Sequence, residues 1–427
     1  MSSGKKMSKK EMFSYIVLLL GAGTMYKLYF LVDSFYIQMQ EYFNLSHTQI
    51  GYIYSVSGWV SQFGFLAAMF IADRFSKRKM LSFALVCNGL VGVYLSTYPP
   101  FSIMLGVFCL FALFTDMLCW PTMLKTIRLL GSKEEQGRLF GFFETGRGLI
   151  DTAVNFAALG IFVWFGSNAA GFRFSILFFS TISIIVGIMA FFAIEDDKIA
   201  EIDNTQEKNK LALDGVKKAL KTKEIWLVSV NVFLIYCLYI GIKYFVPFLK
   251  DVYAVPVSLV TAYGIINAYG LKMIGGPIGG FVSDKVTHSA TKFLKFMYFI
   301  VASLVGVYII LPHPSIGVYF AIGFSLLISA CIFSMRSVFF APMDEVRVPR
   351  EITGAAMGLG SFIGYLPGAF LTIVYGSQLD AHPGIAGYRI IFSMMIGFVI
   401  LGILVSFILQ RKIKSQRPEA ESERLEA

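Results

Sequence analysis

Ala72-Asp73-Arg74-Phe75-Ser76-Lys77-Arg78-Lys79 closes one long apolar run of this chain, and Gly280-Phe281-Val282-Ser283-Asp284-Lys285 closes another much later. Each places an acid followed by a base between two stretches that carry almost no charge. Recurrence at matching places implies a chain built from two copies of one unit. A carboxylate at such a turn can cap a neighbouring helix N-terminus and pair with basic residues across the seam between the copies. A contact of that kind holds one arrangement closed and breaks in the other, so Asp73, Arg74, Asp284 and Lys285 are expected to gate.

The runs around these loops set the fold class. Of 427 residues, 56% are hydrophobic, only 15% are charged and 42 are Phe. A soluble chain would carry about a quarter charged residues, and the mean hydropathy is +0.68. Crossing a hydrocarbon core of ~30 Å takes about 20 residues of helix. Twelve runs are long enough: 13–36, 48–72, 79–98, 101–124, 138–165, 172–194, 225–249, 257–283, 293–311, 315–343, 352–377 and 387–410, hereafter spans one to twelve. The first is too long for a cleavable signal, lacks a small-residue cleavage site and runs into a second span. The expected fold is all-α and polytopic, with twelve transmembrane helices in two pseudo-symmetric six-helix bundles.

Lys and Arg fix the orientation, because basic loops stay cytoplasmic. The segments inside by this topology hold 29 of the 37 basic residues, whereas the outer loops hold three, Arg173, Lys250 and Arg389. Both termini are therefore expected in the cytoplasm of a cell whose inner membrane the chain spans. Residues 195–224 carry 15 charged residues in 30 and contain no span. They divide the chain into a bundle at 1–194 and a bundle at 225–410, followed by a tail at 411–427; a solvated linker explains them.

These features exclude several classes of function. The net charge of +10 is spread over every inner loop rather than gathered in one stripe, so topology accounts for it and nucleic acid is not an expected partner. The five cysteines all lie in apolar runs and read as packing residues. His47, His288, His313 and His382 share no ligand spacing, so neither metal nor cofactor is expected. No enzyme motif occurs, nor a Gly-x4-Gly-Lys-Ser/Thr phosphate loop, so the chain is not expected to be an enzyme or an ATP-driven pump.

The two loops and the repeat resemble the major facilitator superfamily of secondary transporters across essentially the whole chain. Gly280, Asp284 and Lys285 match its loop signature, and Asp73, Arg74, Lys77 and Arg78 match the first copy, where Met69 and Ser76 replace the usual glycines. Within that superfamily the chain is similar to the organophosphate:phosphate antiporter branch. The similar stretches are Cys119-Trp120-Pro121, Glu135-Gln136-Gly137-Arg138, Phe248-Leu249-Lys250-Asp251-Val252 and Thr353-Gly354-Ala355-Ala356-Met357-Gly358. The resemblance implies an anionic substrate. The branch's paired substrate arginines are replaced by Tyr29 and Leu238, and Arg147 stands where it has a central histidine.

Away from the soft starts of the runs, nine charged residues fall inside spans: Lys27, Asp33, Asp116, Glu144, Arg147, Asp151, Lys243, Lys272 and Arg336. Facing lipid, each would cost roughly 3 kcal/mol at a helix centre, so they must face one another or a water-filled cavity. Arg147, Asp116, Lys272 and Arg336 come out about 12–17 Å from the inner end of their spans, near the membrane middle. Glu144, Arg147 and Asp151 share one helix face at i, i+3 and i+7. That is either a self-neutralising ladder or a clamp that aims the Arg147 guanidinium at a ligand. The deep set, Lys27, Arg147, Lys272 and Arg336 against Asp116, Glu144 and Asp151, has one more cation than anions, which a small anion would balance.

Lys27, Arg147, Lys272 and Arg336 are accordingly expected to bind the substrate anion, with Tyr29 and Trp120 beside them. Asp116, Glu144 and Asp151 are candidates for coupling to protons. The expected activity is alternating-access transport of a carboxylate, sulfonate or phosphate ester, driven by protons or a counter-anion, by a monomer in the bilayer. The alternatives are proton-driven efflux of an amphiphile and a transporter-like membrane sensor.

Overall fold

A computed structural model describes residues 9–71, 75–129, 136–195, 215–349 and 352–426. Among them the fold is helical throughout, with ten helices long and apolar enough to cross a membrane. The chain forms two compact units. One comprises Met1–Glu201 with Val255–Met273, the other Ile202–Ala254 with Ile274–Ala427. The outer part of span eight thus belongs with the first unit. There Gln38 Nε2 donates to Thr261 Oγ1 at 2.7 Å, and a Cβ on Gly264 would lie 3.0 Å from the Asp33 carbonyl oxygen. Most of the 195–224 linker lies outside the described residues.

Seven spans run as single helices over their described residues: two (His47–Ile71), three (Lys77–Leu95), five (Gln136–Trp164), six (Ala169–Ala193), nine (Ala290–Ile310), ten (Val318–Val338) and twelve, within Ile385–Glu426. Others are interrupted. Span one breaks into Lys9–Thr24 and Val32–Tyr42, with turns between. The break follows Gly21-Ala22-Gly23-Thr24, where a Cβ on Gly23 would clash with Ile150 of span five. Backbone freed inside a membrane must find other partners; Asn88 Nδ2 of span three donates to the Met25 carbonyl at 3.2 Å, and the Lys27 N–H donates to the Thr24 carbonyl at 3.1 Å. Lys27 therefore sits on the unwound stretch.

Span four changes register at a π-helical segment, Leu113–Cys119, in which the Trp120 N–H reaches back to the Thr115 carbonyl. Pro121 follows directly and has no N–H to continue the α ladder, so the extra residue is taken up here. Span eight carries π segments at Ile266–Gly270 and Val282–Thr287. Spans seven and eleven carry short 3-10 turns at Ile242–Tyr244 and Leu366–Ala369.

Close packing in the second unit rests on small residues. Gly364 lies against Val232, and Gly402 against the ring of Tyr298, whose hydroxyl donates to Asn231 Oδ1 at 2.9 Å. Gly354 and Gly358, by contrast, face open space. Gly402→Val drives a side chain into the Tyr298 ring, and overpacking of this kind costs about 1–3 kcal/mol. Gly397→Ala meets nothing within 4 Å and should be neutral or slightly stabilising. Thermal unfolding in detergent checks the pair: equal melting temperatures for the two variants would contradict this packing.

Candidate functional site

The deep charges of the first unit meet on Asp151. Its Oδ1 lies 2.5 Å from Lys27 Nζ and its Oδ2 lies 3.8 Å from Arg147 Nε, while Arg147 Nη1 is 3.3 Å from Glu144 Oε1. The Lys27 and Asp151 side chains are 0% and 6% exposed, that of Arg147 12% and that of Glu144 52%. Two cations thus face two carboxylates, and the pairs balance. Aromatic faces complete them: Lys27 Nζ lies 3.8 Å from the Tyr269 ring centroid, and the Arg147 guanidinium lies 4.8 Å from that of Trp120. Lys27 is therefore enclosed by Asp151 and Tyr269. Arg147 keeps some exposure beside its ladder partners.

Asp116 sits in the π segment of span four and is bound by neutral donors. Tyr26 Oη donates to Oδ1 at 2.8 Å and Ser61 Oγ donates to Oδ2 at 2.5 Å. Tyr29 Oη lies 3.1 Å from Ser61 Oγ, which places Tyr29, expected to touch substrate, in the layer behind Asp116. Tyr26 also packs on Trp120, with ring centroids 6.3 Å apart. One continuous set of contacts joins Asp116, Tyr26, Trp120, Arg147, Asp151, Lys27 and Tyr269. Lys272, half-buried on Leu271–Phe281, follows the π segment that carries Tyr269.

Arg336 lies in the second unit, in the last turn of Val318–Val338. Its guanidinium is 4.0 Å from the ring centroid of Tyr239 and 5.9 Å from that of Tyr236. Tyr236 in turn contacts Tyr239 and Tyr365, at centroid distances of 5.4 and 5.0 Å. None of the ion pairs among the described residues involves Arg336. Lys243 Nζ lies 5.4 Å from the same Tyr239 ring.

Asp73 and Arg74 lie outside the described residues. Asp284 and Lys285 fall in the π segment Val282–Thr287, are exposed, and take part in no ion pair among the described residues. The carboxylate that caps the next helix is a different one, Glu345. Its Oε1 accepts from the Ala290 N–H at 2.5 Å, and its Oε2 accepts from the Thr291 N–H and Ser289 Oγ, both at 3.2 Å. Negative charge at a helix N-terminus is stabilising, and the pair Asp344-Glu345 amid basic inner loops was the available sequence signal.

The Major Facilitator Superfamily model matches residues 17–372. The chain belongs to that superfamily: it is a secondary transporter, not an enzyme, and a multi-pass protein of the inner membrane. It is 46% identical over 414 residues to the inner membrane protein YihN of Escherichia coli (strain K12), covering 97% of this chain and 98% of that one. It is 24% identical over 450 residues to the hexose-6-phosphate:phosphate antiporter of Salmonella typhimurium, covering 96% and 93%. Among solved structures, a bacterial homologue of the human lysosomal transporter Spinster superposes with a TM-score of 0.76 at 14% identity, over 96% of this chain and 99% of that one. A point mutant of the nucleoside transporter NupG gives 0.72 at 15%, over 95% and 100%. At such identities these structures share the fold alone.

Removing Asp151 leaves two cations without their shared partner. Asp151→Asn should destabilise the protein by roughly 3–5 kcal/mol, because an uncompensated buried charge remains. Adding Lys27→Met should recover most of that loss. Melting temperatures of the single and double variants decide it, and no recovery in the double variant would mean that Lys27 does not depend on Asp151.

Proposed function

We propose that this protein carries a small organic anion across the inner membrane, with transport coupled to protons or to a counter-anion. The observation that carries the reading is Arg336, a guanidinium in span ten that rests on tyrosine rings, outside every ion pair among the described residues. A stacked guanidinium keeps in-plane N–H donors for a carboxylate, sulfonate or phosphate. Ionisable groups inside membrane spans characteristically mark substrate and proton paths. Arg147 is the second anion-binding candidate, aimed by Glu144, Asp151 and Trp120, with Lys272 a third.

Lys27 has a supporting role, holding Asp151 in place, and Asp151 serves as shared counter-ion. Asp116 is the better candidate for a coupling proton, since among the described residues only neutral hydroxyls bind it and a proton there breaks no ion pair. The relative from Salmonella, named for hexose 6-phosphate and phosphate, supports an anion as cargo. The positions of that branch's arginines hold the buried Tyr29 and Leu238, so the anion is held by other residues. Efflux of an amphiphile is the second reading, favoured by the internal neutrality of the Lys27, Asp151, Arg147 and Glu144 cluster.

A thermal-shift screen of purified protein against phosphate esters, sulfonates and mono- and dicarboxylates tests the assignment. At least one anion should raise the melting temperature. Arg336→Ala should weaken its binding about 10- to 100-fold, the ~1.5–3 kcal/mol of a charged hydrogen bond. Arg336→Lys should not restore it, because the ammonium lacks the planar fork. Stabilisation by lipophilic cations and by no anion would favour efflux.

A further inference from the structure

We infer that Tyr26 and Trp120 form a mechanical link between the protonation of Asp116 and the placement of the Arg147 guanidinium. The inference rests on the reading of Asp116 as the proton site and adds how a proton there reaches the anion-binding arginine.

Both carboxylate oxygens of Asp116 accept hydrogen bonds, from Tyr26 on one side and Ser61 on the other. The two donors are not equivalent. Ser61 is itself hydrogen-bonded to Tyr29, so the Oδ2 side is held by a chain of two hydroxyls. Among the described residues, the Tyr26 hydroxyl bonds to Asp116 alone. A carboxylate accepts only, whereas a carboxylic acid must donate from one oxygen. The proton therefore belongs on Oδ1, which then donates to the Tyr26 hydroxyl instead of accepting from it and loses the charge that held the phenol.

Tyr26 is a rigid lever with two ends. Its hydroxyl meets Asp116, and its ring packs on Trp120 at 6.3 Å and 53°. Among the described residues, the Trp120 ring also meets the Arg147 guanidinium at 4.8 Å and the Phe143 ring at 6.4 Å. Arg147 is held on its remaining sides by Glu144 at 3.3 Å and, more loosely, Asp151 at 3.8 Å. A shift of Tyr26 thus moves the indole face on which the guanidinium rests.

The backbone supports such movement. Asp116 and Trp120 bracket the end of the π segment Leu113–Cys119, and a single-turn π bulge is a local defect that the helix can redistribute. The titratable and charged groups around Asp116 are Tyr26 and Tyr29 of span one and Cys119 of its own span, with Arg147 of span five acting on Tyr26. Ser61 of span two supplies the remaining donor.

Trp120 is its own reporter, one of four tryptophans in the chain. In a variant that keeps Trp120 and replaces Trp59, Trp164 and Trp226 by Phe, emission should shift sigmoidally with pH in lipid nanodiscs. Asp116→Asn should fix the emission at its acidic value. Tyr26→Phe, which keeps the ring and deletes the hydroxyl, should flatten the titration while leaving the melting temperature near that of the parent. Emission independent of pH in the parent, or a titration that survives Tyr26→Phe, overturns the link. Proton-driven uptake by the Asp116→Asn variant is read separately. If it is lost while Trp120 stays silent, Asp116 couples protons by another route and the link fails. If Trp120 titrates through Asp116 and Tyr26 while uptake persists, the link holds and the coupling role fails.

Discussion

A charge carried into hydrocarbon has to be met by another charge, by hydroxyls or by water, and the first unit is arranged around how Asp151 meets that demand. One carboxylate serves Lys27 of span one and Arg147 of its own span, with Glu144 taking the outer side of the guanidinium. The bridge reaches Lys27 only because span one is unwound there, and the unwinding persists because Asn88 takes up a freed carbonyl. Broken helices near a midplane site are a recurring device of secondary transporters, since unwound backbone is tolerated where protein or a cavity surrounds it.

With Lys27 and Arg147 balanced, the remaining chemistry divides cleanly. Among the described residues Asp116 is bound by hydroxyls alone, an environment in which gaining or losing a proton rearranges hydrogen bonds and leaves the ion pairs intact. Arg336, in the second unit, is bound by aromatic faces and joins no ion pair among the described residues. A protonatable carboxylate and a stacked guanidinium are the two parts that a proton-coupled anion carrier needs, and they sit on different spans.

Much of this was legible from sequence. Hydropathy located the spans, and helical spacing put Glu144, Arg147 and Asp151 on one face. What stayed hidden depends on partners distant in sequence. Asp116 finds Tyr26 and Ser61 at separations of 90 and 55 residues, which no local spacing reveals. The break in span one has no proline to announce it and follows from the close approach of Gly23 to Ile150. Lys27 read as a ligand group because its counter-ion lay four spans away. Pro121 did mark a weak point in span four, but its effect is a change of helix register at Asp116. Glu345 caps span nine from 55 residues away, another pairing that local spacing does not reveal.

The most direct test is uptake into proteoliposomes under an imposed proton gradient, with small organic anions and lipophilic cations offered side by side. The account predicts that an anion accumulates, that the gradient raises its accumulation, and that Arg336→Ala abolishes it. Expulsion of lipophilic cations with no movement of any anion would contradict it and make the intramembrane charges structural pairs.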